Sequence, residues 1–272
     1  MPEKKENLFR EMIASAASIS DRNERSRKYK SIVGLLSQEA VRSNDILYIE
    51  KALKIAGMVT DDPSKAYVEI IRSITKMKRK DKYSFDETVK ITERIDNDLD
   101  LSVALYEIAL AFGKYGNDKK EKIIPDSLDI IQKIPLDTYR SMAYRNLSKS
   151  ISDIDPGKAL VLLNKSIEIL ENSKDIGTIY KISALCDTGA VLSLIGDERS
   201  HDFIRRAVEI SDDIIDDFEK SAVLLKIVET EMAIGKKSKD TEMINEASVI
   251  SKGIMKEYYK SLALNALEYT TY

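Results

Sequence analysis

The sequence predicts an all-α protein of helical hairpins that repeat about every 39 residues. Glycine and proline are scarce, at 10 and 5 of 272 residues, which leaves few of the turns that an all-β fold needs. Apolar residues recur at helical spacing, and the same pattern returns along the whole chain. We therefore expect one α-solenoid domain over residues 1–272, a right-handed α-α superhelix of about seven hairpins and about fourteen helices.

The first helix of each repeat, which we name helix A, starts from an anchor residue that is serine in six of seven copies. A mostly small residue follows two positions later, and a large one follows directly after it. Positions 2, 3, 6, 7 and 10 after the anchor form an apolar stripe, which predicts an amphipathic helix. The anchors are Ser26, Ser64, Ser102, Ser141, Ile182, Ser221 and Ser261.

A second helix, helix B, is predicted between successive A helices. It begins with a small residue that is followed three positions later by isoleucine, at the same period. Small residues at fixed positions on both helices let neighbouring backbones approach closely. The leading residues are Ala52, Thr88, Ser127, Ser166, Ala207 and Ala247, with a weaker copy at Met12.

Glycines and acidic residues mark the expected helix ends. Gly116, Gly196 and Gly235 each lie fourteen residues after an anchor, where helix A is expected to end in a left-handed cap. Asp62 and Asp155 precede prolines, which is typical of a helix N-terminus.

These features resemble two families of helical repeats. The glycine turns are similar to those of tetratricopeptide repeats, although that family has a shorter period of roughly 34 residues. A basic residue three positions before an alanine resembles a step of HEAT repeats, whose length is closer to this one. The resemblance implies a scaffold or adaptor that binds other macromolecules, and it leaves open which of the two phases applies. The HEAT-like pairs are Arg140 with Ala143, Lys181 with Ala184, and Lys260 with Ala263.

Composition excludes several classes of protein. With 43 Lys and Arg against 46 Asp and Glu, the net charge is -3, so no overall basic charge indicates nucleic acid as the general partner. A single cysteine and a single histidine exclude an internal disulfide and a Cys/His zinc site. We see no apolar stretch of the length that a membrane span needs. The chain is expected to be cytoplasmic, without cofactor or metal.

One motif favours an enzyme as a third hypothesis. Residues 212–217 spell the Asp-Asp-x-x-Asp of all-α isoprenyl diphosphate synthases, in which carboxylates one helical turn apart would hold Mg²⁺ against a diphosphate. Acidic residues are also expected at this B-to-A junction, where they favour a helix N-terminus. No glycine-rich nucleotide-binding motif is present.

Isolated reactive or aromatic residues have structural explanations. His201 is expected in a solvated turn, and Cys186 is expected to be an inert, partly buried thiol. Tyr29, Tyr67 and Tyr144 share one repeat position that is leucine in other copies, so we expect them in the core.

Charge supplies two further hypotheses. Lysines recur at the A-to-B turns, and in a solenoid these turns share one edge, which would suit nucleic acid as an alternative partner. The same charges are also typical of a protein from a heat-adapted organism. The basic clusters comprise Lys76, Lys78, Arg79, Lys80 and Lys82; Lys114, Lys119, Lys120 and Lys122; and Lys236, Lys237 and Lys239.

The face of helix A opposite the apolar stripe is the predicted binding surface. If this face lines the groove of the solenoid, four of its cations form a basic strip for an acidic peptide or protein. We thus favour a non-enzymatic protein-protein interaction scaffold. Exposed apolar residues on the terminal helices would allow a homodimer. The predicted binding residues are Glu69, Arg72, Lys76, Glu107, Lys114, Asn146, Lys149, Asp187, Lys226 and Glu229.

Overall fold

The structure is a computed structural model that describes residues 2–77, 85–113 and 127–268. Helix dominates these residues, and they contain no β-strand. The prediction of an all-α protein is therefore confirmed. The arrangement of the helices as one right-handed solenoid of seven hairpins stays a prediction.

Fourteen helices lie in the described part of the chain, and contacts group the chain into two units, Met1–Arg140 and Ser141–Tyr272. The first unit holds α1 (Pro2–Ala17), α2 (Arg22–Ser43), α3 (Ile46–Ala56), α4 (Ser64–Lys76), α5 (Phe85–Thr92), α6 (Asp98–Gly113) and α7 (127–132). The helix α8 (Asp137–Ile151) begins in the first unit and continues into the second. The second unit also holds α9 (Pro156–Asn172), α10 (Thr178–Ile195), α11 (Ser200–Ser211), α12 (Asp217–Ser238), α13 (Thr241–Ser251) and α14 (Glu257–Glu268).

The predicted alternation of A and B helices is confirmed. Every anchor lies in an even-numbered helix, and every leading residue of helix B lies in an odd-numbered one. In the first unit α2, α4 and α6 pack on one another in sequence, and α3 and α5 each contact the A helices on both sides. In the second unit α10, α12 and α14 form the same series, with α11 and α13 between them. Within each unit the A helices therefore share a common layer.

The apolar stripe of helix A forms the core of each unit. Ile70 and Ile108, at equivalent positions of α4 and α6, are fully buried. The small column is buried as well, and Ala104 and Ala184 have no exposed surface. Burial of an isoleucine side chain is worth about 1.5–3 kcal/mol, so this repeated column dominates the stability of the hairpins.

The anchor serine binds the turn that leads into the next A helix. Ser26 Oγ accepts a hydrogen bond from the Thr60 N–H at 3.1 Å. Ser102 Oγ accepts one from the Leu136 N–H at 3.2 Å, and Ser221 Oγ accepts one from the Lys256 N–H at 3.2 Å. The serine hydroxyl groups are buried, and a hydrogen bond of this kind contributes about 0.5–1.5 kcal/mol, which gives a physical reason for the serine at this position.

Two of the other serine anchors, Ser141 and Ser64, form different contacts. Ser141 Oγ lies 2.9 Å from the Ser166 hydroxyl of α9, so it joins an A helix to the following B helix. Ser64 is fully buried, and its hydroxyl has no hydrogen-bond partner among the described residues.

The glycine caps are confirmed at one of the three predicted positions. Gly196 ends α10 with φ of 82°, the left-handed conformation that glycine favours. The prediction is wrong for Gly235, because α12 continues to Ser238 and Lys239 takes the left-handed cap with φ of 58°. Gly235 instead lets α13 approach closely: a Cβ there would lie 2.9 Å from Ile244 Cγ1. Gly116 lies outside the described residues.

The acids before the prolines both accept hydrogen bonds from helix starts. Asp155 caps α9 by accepting the Lys158 N–H at 3.0 Å. Asp62 accepts the Ser64 N–H at 3.2 Å, at the first residue of α4. These bonds satisfy N–H groups that a helix N-terminus leaves without a backbone partner.

By length and composition, α10 is the one helix in the described residues that is apolar enough to cross a membrane. The sequence pattern had indicated no such segment. In the structure α10 packs against α9, α11 and α12, and it buries Ile182, Leu185 and Leu192 in the core of the second unit. Its apolar composition is thus that of a helix covered by neighbours on several sides.

The first prediction concerns the close approach at Gly235. We expect Gly235→Ala to lower the free energy of unfolding by about 1–3 kcal/mol, because the new methyl group overlaps Ile244 and the Asp240 carbonyl. Gly34→Ala is the matched control, since Gly34 lies in α2 with no atom near its Cβ position. It should raise stability by about 0.5–1 kcal/mol. Urea unfolding of both variants measures the two changes, and equal effects would contradict the packing argument.

The second prediction concerns the anchor serines. Ser102→Ala and Ser221→Ala should each cost about 0.5–1.5 kcal/mol, because each removes the hydroxyl group that accepts an N–H of the next turn. Ser261→Ala occupies the equivalent position of the last A helix, where the side chain is exposed, and it should change stability by less than about 0.5 kcal/mol. Thermal unfolding followed by circular dichroism compares the three variants. A loss as large at Ser261 would argue against a role for the inter-hairpin bond.

Candidate functional site

The predicted binding residues of the first unit pair with one another from one A helix to the next. Arg72 Nε on α4 donates to Glu107 Oε1 on α6 at 3.1 Å, and its Nη1 donates to Glu69 Oε1 at 3.1 Å. Burial opposes the charge of Arg72, but both glutamates outweigh it and raise the pKa of the guanidinium. Two carboxylates therefore balance the positive charge of Arg72.

The second unit repeats this arrangement. Lys226 Nζ on α12 lies 2.8 Å from Asp187 Oδ1 on α10. Burial lowers the pKa of Lys226, but the hydrogen bond and charge of Asp187 more than compensate, and the net shift is upward. Arg145 of α8 is buried, with Nε 3.9 Å from Asp187 Oδ2. The structure thus joins predicted residues of neighbouring A helices into inter-helix ion pairs.

The remaining predicted binding residues differ in how far they are exposed to solvent. Lys76, Lys149 and Glu229 are exposed, and Asn146 is half-buried. Lys114 lies outside the described residues, so the structure describes three members of the basic strip, Arg72, Lys76 and Lys149. Of these, Arg72 is in ion pairs with glutamates.

The basic turns are described in part. Lys236, Lys237 and Lys239 are exposed at the end of α12. Residues 78–82 and 119–122, which carry the other two clusters apart from Lys76 and Lys114, lie outside the described residues.

The Asp-Asp-x-x-Asp motif spans the junction between two helices rather than one helical face. Asp212 follows the last residue of α11, and Asp216 caps α12 by accepting the N–H groups of Phe218 and Glu219 at 2.9 and 2.8 Å. Lys220 Nζ lies 3.6 Å from Asp212 Oδ1. The described residues contain no group of three or more His, Cys, Asp or Glu side chains placed to hold a metal ion.

The structure also places the single histidine, the single cysteine and the three tyrosines that share one repeat position. The expectation of a turn for His201 is wrong, because it lies in the first turn of α11 with Nε2 3.2 Å from Asp240 Oδ2. Cys186 is fully buried, and burial raises the pKa of its thiol to about 12, as expected of an inert cysteine. Tyr29, Tyr67 and Tyr144 are all in the core, which confirms the prediction for that column.

A groove that the sequence analysis did not single out lies in the second unit. It is bounded by α11 and α13, with Glu231 of α12 among its lining residues, and encloses about 780 Å³. We name it the α11–α13 groove. Apolar side chains line part of it, with charged residues of both helices among them. The apolar lining residues are Ile204 and Val208 on α11, and Met243, Val249 and Ile250 on α13.

Glu231 is the unusual residue of this groove. Its side chain is 2% exposed, and Oε2 has no hydrogen-bond partner among the described residues. Burial, with a smaller contribution from the charge of Glu246, raises the pKa of Glu231 to about 8. A carboxyl group that is buried without a partner is costly to ionise, and groups of this kind concentrate at functional sites.

The repeat itself carries a signal for Glu231. It stands ten residues after its anchor, a position that the apolar stripe includes. The equivalent residues of the preceding five repeats are all apolar: Leu36, Ile74, Phe112, Ile151 and Leu192. Packing of the core favours an apolar residue at this position, so a carboxylate here is not explained by core packing.

Comparisons with known proteins add little to this description. Neither the comparison with protein families nor the comparison with curated proteins finds a match. Among solved structures, the chain is similar to the protein in "Crystal structure of Ton1535 from Thermococcus onnurineus NA1", at 13% identity and a TM-score of 0.25. That alignment covers 97% of this chain and 96% of the other. A TM-score of this size does not establish a shared fold.

The third prediction follows from the raised pKa of Glu231. An unfolded glutamate has a pKa of about 4.3, so the folded protein binds the extra proton between that value and about 8. The stability that protonated Glu231 contributes is therefore present at low pH and is lost as the pH rises through about 8. Glu231→Gln should match the parent protein near pH 4 and exceed its stability at pH 9 by up to about 5 kcal/mol.

Chemical unfolding at a series of pH values measures this difference. Glu219→Gln is the matched control, because it makes the same change at an exposed position of α12. The control should show no such pH-dependent gain. A difference between Glu231→Gln and the parent that stays constant with pH would contradict the buried, neutral carboxyl.

Proposed function

We propose that this chain is a non-enzymatic interaction scaffold, a TPR-like or HEAT-like right-handed solenoid of seven hairpins that binds a peptide or protein along its A helices. One observation carries the proposal: the A helices α2, α4 and α6 of the first unit pack directly on one another, as do α10, α12 and α14 of the second. Their polar positions consequently form a continuous series across the helices. Such a series would present recognition groups at fixed spacing without a conformational change on binding.

The inter-helix ion pairs suit this role. Arg72 with Glu107, and Lys226 with Asp187, are half-exposed pairs that join neighbouring A helices. Surface ion pairs of this kind contribute about 0–1 kcal/mol to stability, so a partner's charges can replace one member at low cost. The exposed Lys76 and Lys149 would add attraction for an acidic segment. We further propose that the protein is cytoplasmic and that its function needs neither cofactor nor metal.

Nucleic acid is the alternative partner. The exposed lysines at the end of α12 favour it, since clustered lysines bind phosphate without sequence specificity. This alternative would give an affinity that falls steeply with salt. The diphosphate enzyme is the third candidate, and for it Asp212→Ala with Asp216→Ala should abolish turnover.

The fourth prediction tests the A-helix surface. A tagged protein is incubated with lysate in nuclease-treated and untreated halves, and bound material is identified by mass spectrometry. We expect a protein partner that survives nuclease and is lost with Lys76→Glu plus Lys149→Glu, because the reversed charges repel an acidic segment. The matched control, Lys90→Glu plus Lys252→Glu, changes the net charge equally at exposed positions of α5 and the end of α13. The control should retain the partner.

Two outcomes would contradict the proposal. Material that disappears on nuclease treatment would favour the nucleic-acid alternative. Equal loss with both double variants would show that overall charge, rather than the A-helix surface, decides binding. The proposed homodimer through the terminal helices is tested separately by light scattering, where a constant mass of 30.7 kDa at all concentrations would exclude it.

A further inference from the structure

The α11–α13 groove contains a buried acceptor that the protein leaves unused. Glu231 Oε2 is inaccessible to solvent, and it makes no hydrogen bond with any described residue. Native proteins satisfy nearly all buried polar groups, because each unsatisfied one costs about 1–3 kcal/mol. Glu231 is one of the residues that line the groove, so the groove offers the space from which a donor of another molecule approaches this side chain.

The charges around the groove indicate the sign of that molecule. The two basic side chains that line it already lie against carboxylates: Arg205 Nη2 is 2.7 Å from Asp202 Oδ1, and His201 Nε2 is 3.2 Å from Asp240 Oδ2. Glu242 and Glu246 line the groove from α13, and neither forms an ion pair within the described part of the chain. The groove therefore has an excess of negative charge, which favours a cation.

The apolar residues that line the groove indicate the chemistry of the uncharged part of the ligand. Ile204, Val208 and Met243 are apolar and lie on the two helices that flank Glu231. A ligand that fits these surroundings has a cationic head for the carboxylates and a hydrocarbon body for the walls. An ammonium supplies three hydrogen-bond donors in a compact group, so it can reach a recessed carboxylate.

We propose that the α11–α13 groove binds a primary ammonium group on an alkyl chain, with Glu231 as its buried counter-ion and Glu242 and Glu246 at the entrance. The ammonium comes from a free aliphatic amine or from the lysine side chain of a peptide, which share this chemistry. The site is separate from the A-helix surface of the proposed scaffold function. Its test therefore succeeds or fails independently of that function.

Isothermal titration calorimetry with n-butylammonium chloride is the first experiment, with n-butanol as a neutral ligand of the same chain length. We expect saturable binding of the amine and much weaker binding of the alcohol. A blocked peptide with one central lysine, compared with the same peptide with norleucine, separates the two sources of the amine. Tighter binding of the lysine peptide than of the free amine would indicate a peptide as the natural ligand, and the reverse would indicate a small amine.

Glu231→Gln removes the charge and preserves the shape of the side chain. It should weaken amine binding by on the order of tenfold or more, since the ammonium loses a buried ionic partner. Glu219→Gln, on the same helix and outside the groove, is the matched control and should bind as the parent protein does. Lys76→Glu plus Lys149→Glu should likewise retain amine binding, which distinguishes this site from the A-helix surface.

Proton release gives a second readout. A bound ammonium favours the ionised form of Glu231, so binding near pH 6.5 should release close to one proton, and binding near pH 9 should release almost none. Titrations in buffers of different ionisation enthalpy measure this number. The titratable groups that line the groove or interact with Glu231 are Cys186 on α10, His201 and Arg205 on α11, and Glu242 and Glu246 on α13. In the described part of the chain, no titratable group of α14 lines the groove.

Two variants distinguish proton release by Glu231 from proton release by His201. His201→Asn should leave the proton release intact, whereas Glu231→Gln should abolish it. The proposal is overturned if the amine and the alcohol bind equally, if Glu231→Gln binds the amine as tightly as the parent, or if no saturable binding of either amine probe is found.

Discussion

The buried contact between successive hairpins is the constraint on which the rest of the fold depends. At Ser26, Ser102 and Ser221, a hydroxyl group accepts the N–H of the turn that leads into the next A helix. Each of these bonds joins residues 34 or 35 positions apart, from one hairpin to the start of the next. The anchor of α10 is Ile182, which has no hydroxyl group and cannot form this bond.

Close packing of the stripe confines charge to the other face of each A helix. There the charged residues meet those of the neighbouring A helix, and they form pairs such as Arg72 with Glu107. The pairs are half-exposed, so they organise the surface without contributing much stability. This division between a dry stripe and a charged face is what a scaffold for recognition requires, and it arises from the helical period alone.

Glu231 departs from that division. It occupies a position of the stripe at which the preceding repeats are apolar, and it reaches a groove instead of a sealed core. The protein therefore carries a carboxyl group that is neutral near physiological pH, at the expense of stability at higher pH. An apolar residue would fill the column at no such cost, which is why we attribute a binding role to the carboxylate.

The sequence by itself determined the class of the fold and the alternation of its helices. Both follow from the spacing of apolar residues along the chain, which does not depend on how the helices pack. It also determined that Tyr67, a member of the apolar stripe, lies in the core, and it predicted a partly buried Cys186, which the structure buries fully. It did not determine the end of α12, where the close approach of Ile244 rather than a turn explains Gly235. Nor did it reveal that Arg72 meets Glu107, that His201 meets Asp240, or that Glu231 lines a groove. Each of these depends on which side chains two packed helices bring within a few ångströms of each other, and that distance is set only when the helices pack.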